Sequence, residues 1–163
     1  MMIEIGTVLN FIQAVGIIVG VIYYILNIRV QNKTRDGQLL MQTYGRIDAP
    51  GRAKSMLAVL ALKSEGYDDF MKKYGPESGS GAWEDFGNVH VFFEGLGAMV
   101  RMGYIGIEDV AALIGGGIVK YYSVLEPMKE GMKKQYYPRW CAETEYLYGE
   151  IMKYKQSHPE FIT

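Results

Sequence analysis

The chain has 163 residues and a formal net charge of −1, so no global excess of positive charge marks it as a nucleic-acid-binding protein. Its single cysteine, Cys141, excludes an intramolecular disulfide and fits a reducing cytoplasm. The charge is unevenly placed: residues 29–64 carry seven basic and two acidic groups, whereas residues 65–119 carry three basic and nine acidic groups.

The first predicted element is a transmembrane helix over residues 5–28. No charged residue stands between Glu4 and Arg29, and a helix of this length spans roughly 36 Å, enough to cross a hydrocarbon core about 30 Å thick. A buried helix of a soluble protein and a cleaved signal peptide are the alternatives. A signal peptide has a basic start and a shorter apolar core, so we interpret the segment as an uncleaved anchor.

The orientation follows from the flanking charges. Arg29, Lys33 and Arg35 follow the span and only Glu4 precedes it, and basic residues stay on the cytoplasmic side and favour anionic lipid. We therefore expect a cell-membrane protein with its N-terminus outside, with residues 1–28 as the transmembrane anchor and residues 29–163 as a cytoplasmic helical domain.

The anchor has one polar face. At 100° per residue, its glycines, its amide residues and one tyrosine fall within an arc of about 120°, which we call the polar stripe. The stripe consists of Gly6, Asn10, Gln13, Gly16, Gly20, Tyr24 and Asn27. Small residues let helices approach and amides bond between helices, so the stripe predicts contact with another membrane helix, from a second copy or from a different protein.

The remaining sequence predicts an all-α fold, in which the transmembrane helix continues into a cytoplasmic bundle of about five or six helices. Pro127 should kink or divide the sixth predicted segment, Gly115-Gly116-Gly117 should end the fifth, and Pro138 should open the last. The predicted helices are 29–44, 52–64, 67–74, 83–102, 107–114, 118–136 and 138–156. The segment 83–102 has the clearest core face, formed by Phe86, Val89, Phe93, Leu96 and Val100. For 52–64 the expected face is Ala53, Met56, Leu57 and Leu60, and for the last helix it is Trp140, Thr144, Leu147, Ile151 and Tyr154.

No motif in the sequence predicts catalysis, a cofactor or a metal site. His90 and Glu94 share a helix face, and the only other histidine is His158, which disfavours a metal site. We interpret the two as a hydrogen-bonded pair, with Arg101 nearby, that orders a helix interface, and the three residues as a possible interface of the cytoplasmic domain. The glycine clusters lack the spacing of phosphate-binding loops.

Cys141 has two interpretations. It is either a small buried hydrophobic residue or, near a helix N-terminus and Arg139, a thiol with a stabilised thiolate that responds to redox change.

Residues 10–45, NFIQAVGIIVGVIYYILNIRVQNKTRDGQLLMQTYG, resemble a family of small prokaryotic single-pass membrane proteins of unknown function. Two further blocks are similar to the family: YDDFMKKYG at 67–75, and FFEGLG at 92–97 followed by GYI at 103–105. The resemblance implies an anchored, all-helical domain. It implies no activity and supplies no functional residues.

These observations predict a non-enzymatic accessory or regulatory subunit that docks on a larger integral-membrane complex. The alternative is a homo-oligomeric sensor or scaffold, with Cys141 as a candidate redox thiol, and a membrane-tethered enzyme is a third hypothesis. The expected partners are membrane lipid and another membrane protein or a second copy, without nucleic acid.

Overall fold

A computed structural model describes residues 5–47 and 50–159 of the chain. The described residues form seven α-helices and one short 3₁₀ helix, Pro76–Ser78, and no strand, so the predicted all-α class is confirmed. The α-helices are α1 (Ile5–Ile47), α2 (Pro50–Leu60), α3 (Tyr67–Tyr74), α4 (Ala82–Arg101), α5 (Ile107–Leu125), α6 (Lys129–Gln135) and α7 (Ala142–Ser157).

Helix α1 belongs largely to a unit of its own. The chain divides into two compact units between Leu39 and Leu40, and the prediction that the first helix continues past Arg29 is confirmed. The stretch Val8–Leu39 contains an 18-residue window with a mean hydropathy of 2.1, so by length and composition it is apolar enough to cross a membrane, and that window is not buried.

The second unit is a bundle built around α4. This helix packs most extensively against α7 and next against α2, while α5 packs against α7 and α2, and α3 packs against α6. All five residues of the predicted core face of α4 are buried. Rings from α3, α4 and α5 continue this core, with Phe70 5.0 Å from Phe86 and Phe93 4.7 Å from Tyr121 between ring centroids.

Two glycines allow the helices of the bundle to approach closely. A Cβ at Gly97 of α4 would lie 2.6 Å from the carbonyl carbon of Glu143 in α7. A Cβ at Gly131 of α6 would lie 2.7 Å from a ring carbon of Tyr67 in α3. Both positions therefore require glycine for packing.

The predicted break at Gly115-Gly116-Gly117 is wrong, because α5 runs through all three glycines. Each glycine costs a helix about 1 kcal/mol relative to alanine. Ile118, Tyr121 and Leu125 lie beyond the glycines and are fully buried, so tertiary packing offsets that cost. The division at Pro127 is confirmed, since α5 ends at Leu125 and α6 begins at Lys129.

The expected inner face of α2 is partly wrong. Ser55 and Val59 are buried, whereas Ala53 is exposed and Leu57 is 72% exposed. The Ser55 hydroxyl donates to Asp85 of α4 at 2.5 Å, so a polar contact that the apolar pattern omits decides which side of α2 faces inward.

The last helix begins at Ala142 rather than at Pro138. Cys141 adopts a left-handed backbone conformation with φ 64°, and the residues before it form turns. Four residues of the expected inner face are buried, namely Trp140, Thr144, Leu147 and Ile151, and Tyr154 is half-buried.

Candidate functional site

The polar stripe lies along α1 and is open. Asn10, Gln13 and Asn27 are exposed, and a Cβ at Gly16 or Gly20 would meet no atom within 4 Å. Gly97 differs, because among the residues that the structure describes Gly97 has a close neighbour at its Cβ position, and Gly16 and Gly20 have none.

The basic residues that follow the span also lie on α1. Arg29 and Arg35 are exposed, while the side chain of Lys33 lies outside the described part of the molecule. Their interaction with lipid headgroups stays a prediction.

His90 is an internal residue. It is buried, its Nδ1 lies 3.0 Å from the Tyr121 hydroxyl, and its ring stacks on Trp140 with centroids 4.2 Å apart. Burial lowers the pKa of His90 to about 4, which keeps the imidazole neutral at physiological pH. A residue in this position orders the bundle and cannot reach a partner protein.

Glu94 caps a helix to which it does not belong. Its Oε1 accepts a hydrogen bond of 2.8 Å from the backbone N–H of Thr144, the third residue of α7. The N-cap residue of α7, Cys141, supplies no side-chain cap. The free N–H groups at a helix start need such an acceptor, so α4 provides across the bundle what the local sequence omits.

Arg101 completes the contact between α4 and α7. Its Nε lies 2.6 Å from Oε2 of Glu143, and its guanidinium lies 4.1 Å above the ring of Tyr146. His90, Glu94 and Arg101 therefore contact partners on α5, α7 and the turn before α7. The expected direct pairing of His90 with Glu94 is replaced by these contacts.

Cys141 is fully buried. Burial, with Glu145 nearby, raises the pKa of the Cys141 thiol to about 12, which disfavours the reactive thiolate. This geometry favours the interpretation of Cys141 as a buried hydrophobic residue over the interpretation as a redox thiol.

Sequence reasoning missed an open groove on the outer side of the bundle. It has a volume of about 730 Å³ and follows α4 from Trp83 to Met99, with Arg52 of α2 at one side. Val91 stands in it 70% exposed, between Gly87 and Gly95, whose Cβ positions would meet no atom within 4 Å. The residues 87, 91 and 95 repeat every four positions, which is the signal that could have identified this second open helix face.

Within residues 5–47 and 50–159, no group of three or more His, Cys, Asp or Glu side chains is placed to hold a metal ion. Comparisons of the chain with protein-family models, with curated proteins and with solved structures found no match.

Proposed function

We propose that the protein is a membrane-anchored accessory or regulatory subunit that docks on a larger integral-membrane complex. Helix α1 would cross the cell membrane with its N-terminus outside, and the bundle would lie in the cytoplasm. The resemblance of residues 10–45 to a family of anchored helical proteins implies the same placement and adds no activity.

The observation that carries the proposal is the uncovered polar stripe. Amides facing lipid would leave their hydrogen-bonding groups unsatisfied, and each unsatisfied group in hydrocarbon costs several kcal/mol. A partner helix would satisfy those groups and would approach closely along Gly16 and Gly20.

The groove on α4 supports a second point of contact in the cytoplasm. It is a helix face about 24 Å long from Trp83 to Met99, at 1.5 Å per residue, and its lining mixes apolar side chains with Arg52, Glu84 and Asn88, which suits an amphipathic helix of a partner. Val91 is a large apolar side chain in the middle of this face, and burying it would contribute to docking.

Photo-crosslinking in native membranes tests the transmembrane contact. A photoreactive residue at Gln13 lies in the stripe, and one at Val15 lies at nearly the same depth but about 200° around the helix. We expect Gln13 to crosslink to a distinct integral-membrane protein and Val15 to crosslink to lipid. Equal yields from both positions, or recovery of a clean monomer in mild detergent, would contradict the proposal.

A matched pair of substitutions tests the groove. Val91→Glu and Leu57→Glu each place a carboxylate at a strongly exposed aliphatic position, but only Val91 lines the groove. Val91→Glu should reduce recovery of the partner with the tagged chain, and Leu57→Glu should leave it unchanged. Equal recovery from both variants would exclude the groove as a docking face.

The alternative partner is a second copy of the chain. In that case a photoreactive residue at position 13 would crosslink one copy of the chain to another. The double variant Gly16→Ile and Gly20→Ile would abolish self-association by blocking the close approach of the two helices. The chain would then be a homo-oligomeric sensor or scaffold.

A further inference from the structure

A short segment that runs from the end of α6 towards α7 presents a surface that the docking proposal does not use. Six consecutive residues, 134–139, are all exposed, and we call them the tyrosine loop. Its sequence is Lys134, Gln135, Tyr136, Tyr137, Pro138 and Arg139.

The tyrosine loop is held at both ends by buried residues. Met132 and Trp140 flank it, and Trp140 stacks on His90 of α4. The backbone N–H of Tyr136 donates to the carbonyl of Met132 at 2.9 Å, and that of Trp140 donates to the carbonyl of Tyr137 at 3.0 Å. The exposed side chains therefore project from an ordered turn, and presenting them costs little additional conformational entropy.

The side chains of the loop combine aromatic and cationic character. Tyr136 is 47% exposed and Tyr137 is 53% exposed, and tyrosine combines an apolar ring with a polar tip that suits a membrane–water interface. Lys134 makes no ion pair with any of the residues that the structure describes, and Arg139 has only a 3.4 Å contact with Glu143. The neighbouring Lys133 differs, because its ammonium group donates to both carboxylate oxygens of Glu145 at 3.0 and 3.1 Å, and this ion pair neutralises its charge.

We propose that the tyrosine loop binds the headgroup region of an anionic membrane. Lys134 and Arg139 would attract anionic lipid, and the two tyrosine rings would insert among the headgroups. The proposal rests on the proposed anchoring through α1, because a tether raises the effective concentration of membrane around the loop and makes a weak contact effective.

Tryptophan fluorescence in lipid nanodiscs tests the contact with the full chain. Tyr137→Trp places a reporter in the loop, and Tyr104→Trp places one at a tyrosine that is 50% exposed in the turn after α4. With brominated acyl chains in discs that contain an anionic lipid, we expect fluorescence to be lost from the Tyr137→Trp reporter and retained by the Tyr104→Trp reporter. The native Trp83 and Trp140 contribute the same background to both variants.

A second matched pair tests the role of charge in the Tyr137→Trp background. Lys134 lies in the last turn of α6 and Lys72 in the last turn of α3, and both are exposed. Each cation near an anionic surface contributes about fivefold in partitioning, so Lys134→Glu should remove most of the quenching that anionic lipid adds and Lys72→Glu should not. High salt should reduce the same increment.

The outcomes separate this proposal from the preceding one. Equal quenching of both reporters, or equal quenching in anionic and zwitterionic discs, would overturn the lipid contact and leave protein docking intact. Protection of the loop only when a partner protein is added would overturn it in favour of a protein surface. A chain that washes out of the discs at high pH would overturn the anchor and the loop contact together.

Discussion

Glycines of the two units of this molecule differ in their surroundings. In α1, Gly16 and Gly20 have open space around them, whereas Gly97 of α4 lies against the backbone of α7. The glycine of the bundle is explained by a contact within the chain, and the glycines of the span are not. The comparison shows that a small residue predicts close approach, and that only the fold shows whether the approaching helix belongs to the same chain.

The largest effect should come from Gly97→Leu. The added side chain would overlap Glu143 and force α4 and α7 apart, and we expect a loss of at least about 3 kcal/mol in the free energy of unfolding. Denaturant unfolding in detergent, followed by circular dichroism, measures it. Gly95→Leu on the same helix is the control, because its Cβ would meet open space. Equal losses from both variants would contradict the close contact.

The buried His90 should make the stability of the bundle depend on pH. Its pKa is about 4 in the fold and about 6.5 when unfolded, so the unfolded chain takes up the proton first as the pH falls. The contribution of His90 to the free energy of unfolding is fully present above pH 6.5, and it is lost as the pH falls from 6.5 towards 4. Between pH 7.5 and 4.5 the contribution should fall by about 2–3 kcal/mol.

His90→Gln isolates this contribution in the same unfolding measurement. The variant has no titrating side chain at position 90, so its stability should fall less than that of the parent between the two pH values. Parallel pH profiles for the variant and the parent would show that His90 does not carry the effect.

Removing the cap across the bundle should have a moderate effect. Glu94→Ala leaves the N–H of Thr144 without its acceptor and should cost about 1–2 kcal/mol in the free energy of unfolding. Glu94→Gln retains a carbonyl oxygen at the same place and should recover part of the loss. A glutamine variant as unstable as the alanine variant would indicate that charge rather than capping matters.

The thiol of Cys141 should react slowly or not at all in the native protein. It is fully buried and its pKa is raised to about 12, so a reagent cannot reach the sulfur and little of the thiol is ionised at physiological pH. Mass spectrometry after treatment with an alkylating reagent should show modification only in denaturant. Rapid modification of the native chain would revive the redox-responsive alternative.

The smallest effect on the bundle should come from the glycines of α1. Gly20→Ala adds a methyl group to open space, so the free energy of unfolding of the bundle should change by less than about 0.5 kcal/mol. The same substitution should weaken association with a membrane partner. A change in bundle stability would show that α1 and the bundle depend on each other, and would break the comparison between the two sets of glycines.

Local patterns predicted much of the fold for identifiable reasons. The core face of α4 recurs at helical spacing, and α3 has the predicted bounds because acidic residues open it, basic residues close it and Gly75-Pro76 follows. Pro127 divides the helices on either side of it because it cannot continue a helix. These features depend on neighbours in sequence.

The errors have a different origin. Glycine residues 115–117 weaken a helix locally, but burial beyond them keeps α5 continuous. The face of α2 depends on Ser55 meeting Asp85, which is 30 residues away. The interface of His90, Glu94 and Arg101 was predicted as a group, but the partners of each residue come from elements 31 to 50 residues further along the chain.

The sequence by itself determined that residues 5–28 form a long, uncharged helix with one polar face, because hydropathy and a 100° turn per residue are local properties. Only the tertiary structure decided that His90 is internal, that Glu94 caps α7, and that Val91 and the tyrosine loop remain uncovered. Burial and hydrogen-bond partners at these positions depend on which segments, distant in sequence, pack together, and a local pattern does not specify those contacts.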